Sequence, residues 1–288
     1  MRSGKKGDLL SYIIMLLPGL LIYTLIIVAM IEAVHLGFFR WDGIRPKVFV
    51  GFGNYLKMFQ EERFLVSIRN IFILMGATIV FQVGLGIILA YTMKMTTKLE
   101  IFKPIVFLPV IISNVAVVAF FIQFFAARGG YLNYFLSIFG AAPVNWFGLG
   151  NKEILVAIVP QTWQYIGLMF VIVLAGFSSV PDELLDAATL DGLNNYQLLV
   201  NIYIPLSWDT INVCVILAMV GPLKNFVHIW LFNQGGSDQL SHIPGTLMYL
   251  VGFYSFNFGY GSSIAIFILL AAGGMTFAFR SLLVREHT

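Results

Sequence analysis

Long apolar runs separated by short polar stretches set the architecture of this chain before any motif is considered. Six segments approach or exceed the roughly 20 residues that a helix needs to cross a bilayer. They are about Leu9 to Glu32, Ile68 to Met93, Pro104 to Phe125, Ile154 to Phe177, Asp209 to Phe232 and Ser262 to Leu283. Of the 288 residues, 59% are hydrophobic and only 11% charged, where soluble domains carry roughly a quarter charged. A water-soluble fold of this length has nowhere to hide that much apolar surface. The expected fold class is all-α, a polytopic membrane protein with six transmembrane helices in a single domain over residues 1–288. Helices follow because backbone polar groups in lipid must be satisfied within their own segment. Arg2, Lys5 and Lys6 precede the first run as in a signal peptide, but the run continues past about 15 residues without a small-residue cleavage site and reads as a retained span.

The longest polar interruption in the second half, Ser179 to Pro205, is punctuated as two short helices joined by a glycine turn. Ser179 is expected to cap the first helix, with Pro181 in its first turn and Asp182 three residues after the cap. Leu184, Ala187 and Ala188 share one face, where the small side chains would admit a partner backbone. Gly192 suits the left-handed position that ends a helix. Asn194 with Gln197 reads as a second capping pair, and Pro205 as the stop of the second helix.

This stretch resembles the cytoplasmic coupling loop of binding-protein-dependent ABC importers, whose signature is Glu-Ala-Ala, three residues, Gly, nine residues, then Ile, any residue, Leu, Pro. Asp186-Ala187-Ala188, Gly192, Ile202, Ile204 and Pro205 fall at that spacing, with Asp186 for Glu and Ile204 for Leu. The resemblance implies a helix-turn-helix coupling loop between spans four and five that sits in a groove of an ATPase subunit. Glu183, Asp186, Ala187, Ala188, Asp191, Gly192 and Pro205 are then the coupling residues. It further implies a second homologous permease subunit, two ATPase subunits holding ATP and Mg, an extracellular solute-binding protein, and no cofactor in this chain. The setting is the bacterial plasma membrane, with both termini cytoplasmic.

Two shorter segments extend the resemblance. Phe49-Val50-Gly51-Phe52-Gly53-Asn54-Tyr55, followed by Phe59, Phe64 and Asn70, is similar to the Gly-Leu-x-Asn-Tyr segment of the first permease type, that of the larger maltose- and glycerol-3-phosphate-transporter permeases. Asn233-Gln234-Gly235-Gly236-Ser237, before Pro244-Gly245-Thr246 and Tyr249, resembles the external Thr-x-Gly-Gly-Pro loop, although Gly235-Gly236 also reads as a plain tight turn. The chain stops at Thr288 without the Gly- and Lys-rich tail common in the other permease type.

Charge changes the picture less. Lys and Arg fall evenly on the two sides of the expected topology, so the positive-inside bias does not orient the chain. The net charge of +3 is ordinary, and Cys214 is the one cysteine, so there is no disulfide framework. Asp182, Glu183, Asp186 and Asp191 make the 179–205 stretch acidic, through either a basic partner groove or a solvated face. A DNA-reading helix-turn-helix is excluded because phosphate contacts need bases there. No nucleic acid partner is expected.

The sequence contains no nucleophile–base arrangement, metal-ligand cluster or phosphate-binding motif, so this chain is not expected to hydrolyse ATP alone or to be an enzyme, and the resemblance implies that partner subunits carry the ATPase. Polar residues at membrane depth are the informative ones, because they usually face a bundle interior or cavity. Gln161, Gln164, Tyr165 and Leu168 fall on one face of span four; Gly221, Lys224, Asn225 and His228 do so on span five. Gln161, Gln164, Tyr165, Lys224, Asn225 and His228 are the candidate substrate contacts, since amides, hydroxyls and rings suit a sugar. Helix–helix bonding by the glutamines and outward snorkelling by Lys224 are the alternatives. Glu32, Gln82 and Asn114 read as span-end or packing residues. The expected function is a permease subunit of an ATP-driven sugar importer; a glycerol-phosphate substrate, or a secondary transporter without an ATPase, is the alternative.

Overall fold

The first apolar run folds as one long helix, α1 (Gly4–Gly37). The structure is a computed structural model that describes residues 4–96, 101–148, 153–232 and 241–283. After α1 come two short antiparallel strands, β1 (Phe39–Arg40) and β2 (Val48–Phe49), in the register Phe39 with Phe49 and Arg40 with Val48. Helix α2 (Gly53–Gln60) follows. Asp42 organises the tip of this hairpin: its carboxylate accepts the N–H groups of Ile44 and Arg45 at 3.0 and 2.8 Å, which lowers its pKa from the ordinary value. Asn54 ties α2 back to the end of α1, its Nδ2 donating to the Gly37 and Phe39 carbonyls at 2.9 Å each. The Gly51–Tyr55 segment is therefore a structural clasp: Gly51 adopts φ +54°, and Tyr55 packs on Phe38 and Phe52. The described residues up to Gln60 together with Met248–Phe267 form one compact unit; those from Glu61 to Leu247 and from Ile268 onward form another.

In the second unit α3 (Glu62–Ala77) runs through a π-helical segment at Thr78–Val83 into α4 (Gly84–Met95). Next come α5 (Lys103–Ile111), α6 (Asn114–Phe124), α7 (Tyr131–Ile138) and α8 (Glu153–Ser178). The polar stretch forms α9 (Asp182–Leu190), α10 (Asn195–Leu198), a π-helical segment at Leu199–Tyr203, and α11 (Ile204–Leu206). Helices α12 (Trp208–Lys224), α13 (Phe226–Phe232), α14 (Pro244–Tyr249) and α15 (Phe258–Leu283) complete the chain.

Four of the expected spans appear as unbroken helical stretches long and apolar enough to cross a membrane: Met15–Gly37, Glu62–Met95, Ile154–Ser178 and Phe258–Ala278. The other two are not the continuous helices that their hydropathy implied. The third bends by 100° between α5 and α6, where Ile112 and Ser113 take extended backbone and Ser113 Oγ caps α6 by accepting the Ala116 N–H. The fifth is α12 alone, set at 80° to the helix before it and ended at Asn225, so that α13 is a separate element. Apolar composition cannot reveal such breaks, because a serine cap costs the run only one polar residue. The Asn233–Ser237 motif lies outside the described residues.

Helix α8 is the axis of the second unit. Met169, Phe170, Val173 and Phe177 on it join Val83, Ala90 and Met93 from the α3–α4 helix, Tyr203 from the polar stretch, and Ile211, Cys214 and Ala218 from α12 in one buried cluster. Glycines allow the close approaches, as expected where helices associate in lipid through small residues. A Cβ at Gly167 would collide with the Val106 carbonyl of α5, and one at Gly86 would lie 3.0 Å from Met169 Cβ. Gly84, Gly273 and Gly274 by contrast have nothing within 4 Å of the Cβ position. Gly167→Ala is accordingly expected to destabilise the purified chain in detergent by about 1–3 kcal/mol, while Gly84→Ala leaves its melting temperature unchanged. Thermal unfolding of both variants checks this.

Candidate functional site

A helix that breaks at membrane depth exposes carbonyls that lipid cannot satisfy, and the break between α5 and α6 is answered from α8. Gln164, 1% exposed, donates from Nε2 to the Ile112 carbonyl at 2.8 Å and to Asn114 Oδ1 at 2.9 Å. Its Oε1 pairs with His228 Nε2 at 2.9 Å. Because an amide oxygen only accepts, His228 carries its proton on Nε2, which leaves the buried Nδ1 as a lone pair with no partner among the described residues. Gln164 is thus spent on protein groups.

A second substitution of the same kind occurs on α12. Pro222 has no N–H for the carbonyl four residues back, and the Thr78 hydroxyl of the π-helical segment supplies that bond to Ala218 at 2.7 Å. The segment therefore sits against α12, and its Gln82 reaches α8, donating to the Gln161 carbonyl at 3.1 Å.

Between these elements lies a cavity of about 320 Å³. Its polar lining is Gln82, Asn114, Gln161, Tyr165, Lys224 and Asn225, and its apolar lining includes Leu168, Met169, Leu217 and Pro222. The Tyr165 hydroxyl donates to Asn114 Oδ1 at 3.3 Å. Gln161 is 1% exposed, and its Oε1 has no partner among the described residues. Asn225 caps the end of α12 at φ −83°, ψ 52°.

Of the six candidate contacts, the structure brings Gln161, Tyr165, Lys224 and Asn225 to this cavity and keeps Gln164 and His228 behind its wall. The break at Asn225 is why His228 departs from the face it would share with Gly221 and Lys224 on an unbroken helix. Gln82 and Asn114 line the cavity as well as packing; their signal in the sequence was the polar side chain inside an apolar run.

The second feature is the exposed helix pair at 182–206. Its first helix does not start from Ser179, whose hydroxyl donates back to the Gly176 carbonyl at 2.7 Å. The cap position is Pro181, without a side-chain bond. The C-terminus follows the glycine rule closely: Gly192 takes φ +77°, its N–H donates to Thr189 at 3.0 Å, and the Leu193 N–H donates to Ala188 at 3.1 Å. Asn194 and Gln197 form the expected reciprocal box, both bonds 2.9 Å. Pro205 marks the end of the second helix: the continuous helical stretch Asn195–Leu206 stops one residue after it, and the chain turns at Ser207. Leu184 and Ala187 face outward while Ala188 is buried, so the expected shared apolar face is split.

The pair is anchored by two tyrosines. Tyr203, fully buried, places its ring 5.0 Å from Phe177 and 5.5 Å from Tyr91. The Tyr91 hydroxyl donates to the Asn195 carbonyl at 2.6 Å.

A polar cavity beside a broken helix in an apolar bundle, joined through one helix to an exposed capped loop, defines a polytopic membrane transport component. The chain belongs to the family of binding-protein-dependent transport system inner membrane components, which matches residues 82–285. It is 32% identical to the osmoprotective compounds uptake permease protein GgtC of Synechocystis sp., over 88% of this chain and 91% of that one. It is 27% identical to the multiple sugar-binding transport system permease protein MsmF of Streptococcus mutans, over 85% and 84%. A solved bacterial ABC transporter involved in the import of the acidic polysaccharide alginate shares its fold, with a TM-score of 0.84 at 23% identity and 98% of each chain covered.

Removing the Gln164 amide would leave the Ile112 carbonyl without its donor. Gln164→Leu is expected to lower stability by about 1–3 kcal/mol, whereas Tyr165→Phe, which removes one long bond, costs less than half as much; melting of the two variants in the same detergent checks the order.

Proposed function

We propose that this chain is the membrane-spanning permease subunit of an ATP-driven importer that moves a sugar or oligosaccharide across the bacterial plasma membrane by alternating access. The observation that carries the reading is the exposed, doubly capped helix pair with Asp186, Ala187, Ala188 and Gly192 at coupling-loop spacing. Two partner ATPase subunits bind ATP with Mg and hydrolyse it; this chain receives the motion. Exposed Leu184, Leu190 (88%) and Tyr196 supply the apolar part of a docking face. Asp182, Glu183, Asp186 and Asp191 surround it, exposed and without an ion pair among the described residues, which suits a basic groove.

Motion received there has a physical route inward. The Tyr91–Asn195 bond and the buried Tyr203 tie the pair to α4 and α8; α4 continues directly into the π-helical segment whose Gln82 lines the cavity. A shift of the docked loop therefore displaces a wall of the cavity. The bare glycine faces at Gly84, Gly273 and Gly274 suit a second, homologous permease. With the helix pair facing ATP, both termini are cytoplasmic and the Arg40–Arg63 loop meets the solute-binding protein outside. Relatives named for multiple sugars, diacetylchitobiose and trehalose/maltose support a carbohydrate substrate, and so do the convergent amides and the Tyr165 ring.

Gly192→Val tests the coupling role. A β-branched residue at φ +77° costs about 1–2 kcal/mol in left-handed backbone and disrupts the C-terminal motif. Membrane insertion should be unchanged while uptake falls to background and the ATPase no longer co-purifies with the tagged chain; normal uptake with the ATPase retained would count against the assignment.

A further inference from the structure

Lys224 stands out in the cavity by what does not accompany it. It is the one formally charged side chain among the described lining residues, and no carboxylate lines the space with it. Among the described residues it takes part in no ion pair. Its side chain is exposed, so water tolerates the charge until a solute of opposite sign meets it. Lys224 also lies in the last turn of α12, where the peptide dipoles sum to roughly half a negative charge. The cavity is net positive.

The other unfilled valence is an acceptor. Gln161 Oε1 is buried, unpartnered and part of the same wall, whereas the neighbouring Asn114 Oδ1 already accepts from Gln164 and Tyr165. A buried carbonyl oxygen without a donor is about 1–3 kcal/mol out of balance. Hydroxyl is the group that repairs it. The apolar floor of Leu168, Met169, Leu217 and Pro222 leaves room for a ring's CH face. At about 320 Å³ the cavity is at the small end of the roughly 300–1,000 Å³ typical of small-molecule sites, which suits one solute unit at a time.

Building on the importer reading, we propose that the transported solute is a hydroxylated anion, with its carboxylate or phosphate group on Lys224 Nζ and a hydroxyl donating to Gln161 Oε1. Lys224 acts as the selectivity residue of the cavity, and Gln161 as the contact shared by charged and neutral solutes alike. The arrangement discriminates because only an anion pairs with the cation, which a neutral solute leaves to water.

The test is equilibrium binding of three labelled probes, galacturonate, glycerol 3-phosphate and galactose, to the transporter purified with its partners in lipid nanodiscs. At least one anion should bind about tenfold more tightly than galactose, as expected for one charge-assisted hydrogen bond. Lys224→Gln should erase that difference, Lys224→Arg should retain it, and Gln161→Leu should weaken all three probes. The tighter of the two anions tells a carboxylate solute from a phosphate ester. Equal affinities in the wild type, an unaltered preference in Lys224→Gln, or no binding of any probe would overturn the proposal. The same preparation reports on its foundation: ATPase subunits present with no anion preference would sink the substrate class alone, whereas their absence would sink the importer reading.

Discussion

A carbonyl released inside a bilayer has no water to turn to, so each place where these helices break must find its own donor within the protein. At Ile112 the donor is Gln164, and at Ala218 it is Thr78. Both repairs are made across helices, so a local irregularity in one becomes a tertiary contact with another. Both repairs shape the cavity: the break at Ser113 brings Asn114 to its wall, and the bond to Ala218 holds the π-helical segment whose Gln82 lines it too.

Helix α8 makes those contacts simultaneous. Its Gly167 and the facing Gly86 of α4 remove the side chains that would hold neighbouring helices apart, and its Gln161, Gln164 and Tyr165 then reach three different elements. In lipid, where apolar burial gives little drive for helices to associate, this combination of close packing and interhelical bonds is the available source of stability. The arrangement also separates two kinds of polar residue that look alike in sequence. Gln164 bonds through both its amide nitrogen and its oxygen within the protein, and Gln161 keeps a buried carbonyl oxygen without a partner among the described residues.

The exposed helix pair obeys different physics. Its form is decided locally, by a left-handed glycine and a reciprocal Asn–Gln box, and its attachment is decided by two tyrosines that bind it to α4 and α8. A locally rigid element fixed to the bundle at both the backbone and the core moves as part of the bundle. The same α3–α4 helix thereby takes part in both the loop's anchor and the cavity's wall.

The sequence by itself determined the membrane class, four unbroken spans, and the turn chemistry of Gly192 and Asn194–Gln197, because length, composition and capping act within a few turns of chain. It also named Gln161, Tyr165, Lys224 and Asn225 as residues to watch, since polar groups are rare in apolar runs. Only the tertiary structure decided that the third span bends by 100° and that α12 ends at Asn225. It also withdrew Gln164 and His228 behind the wall and brought Gln82 and Asn114 into it. The physical reason is that a broken helix is stable only when a distant residue supplies the missing bond, and no local pattern records which residue that will be.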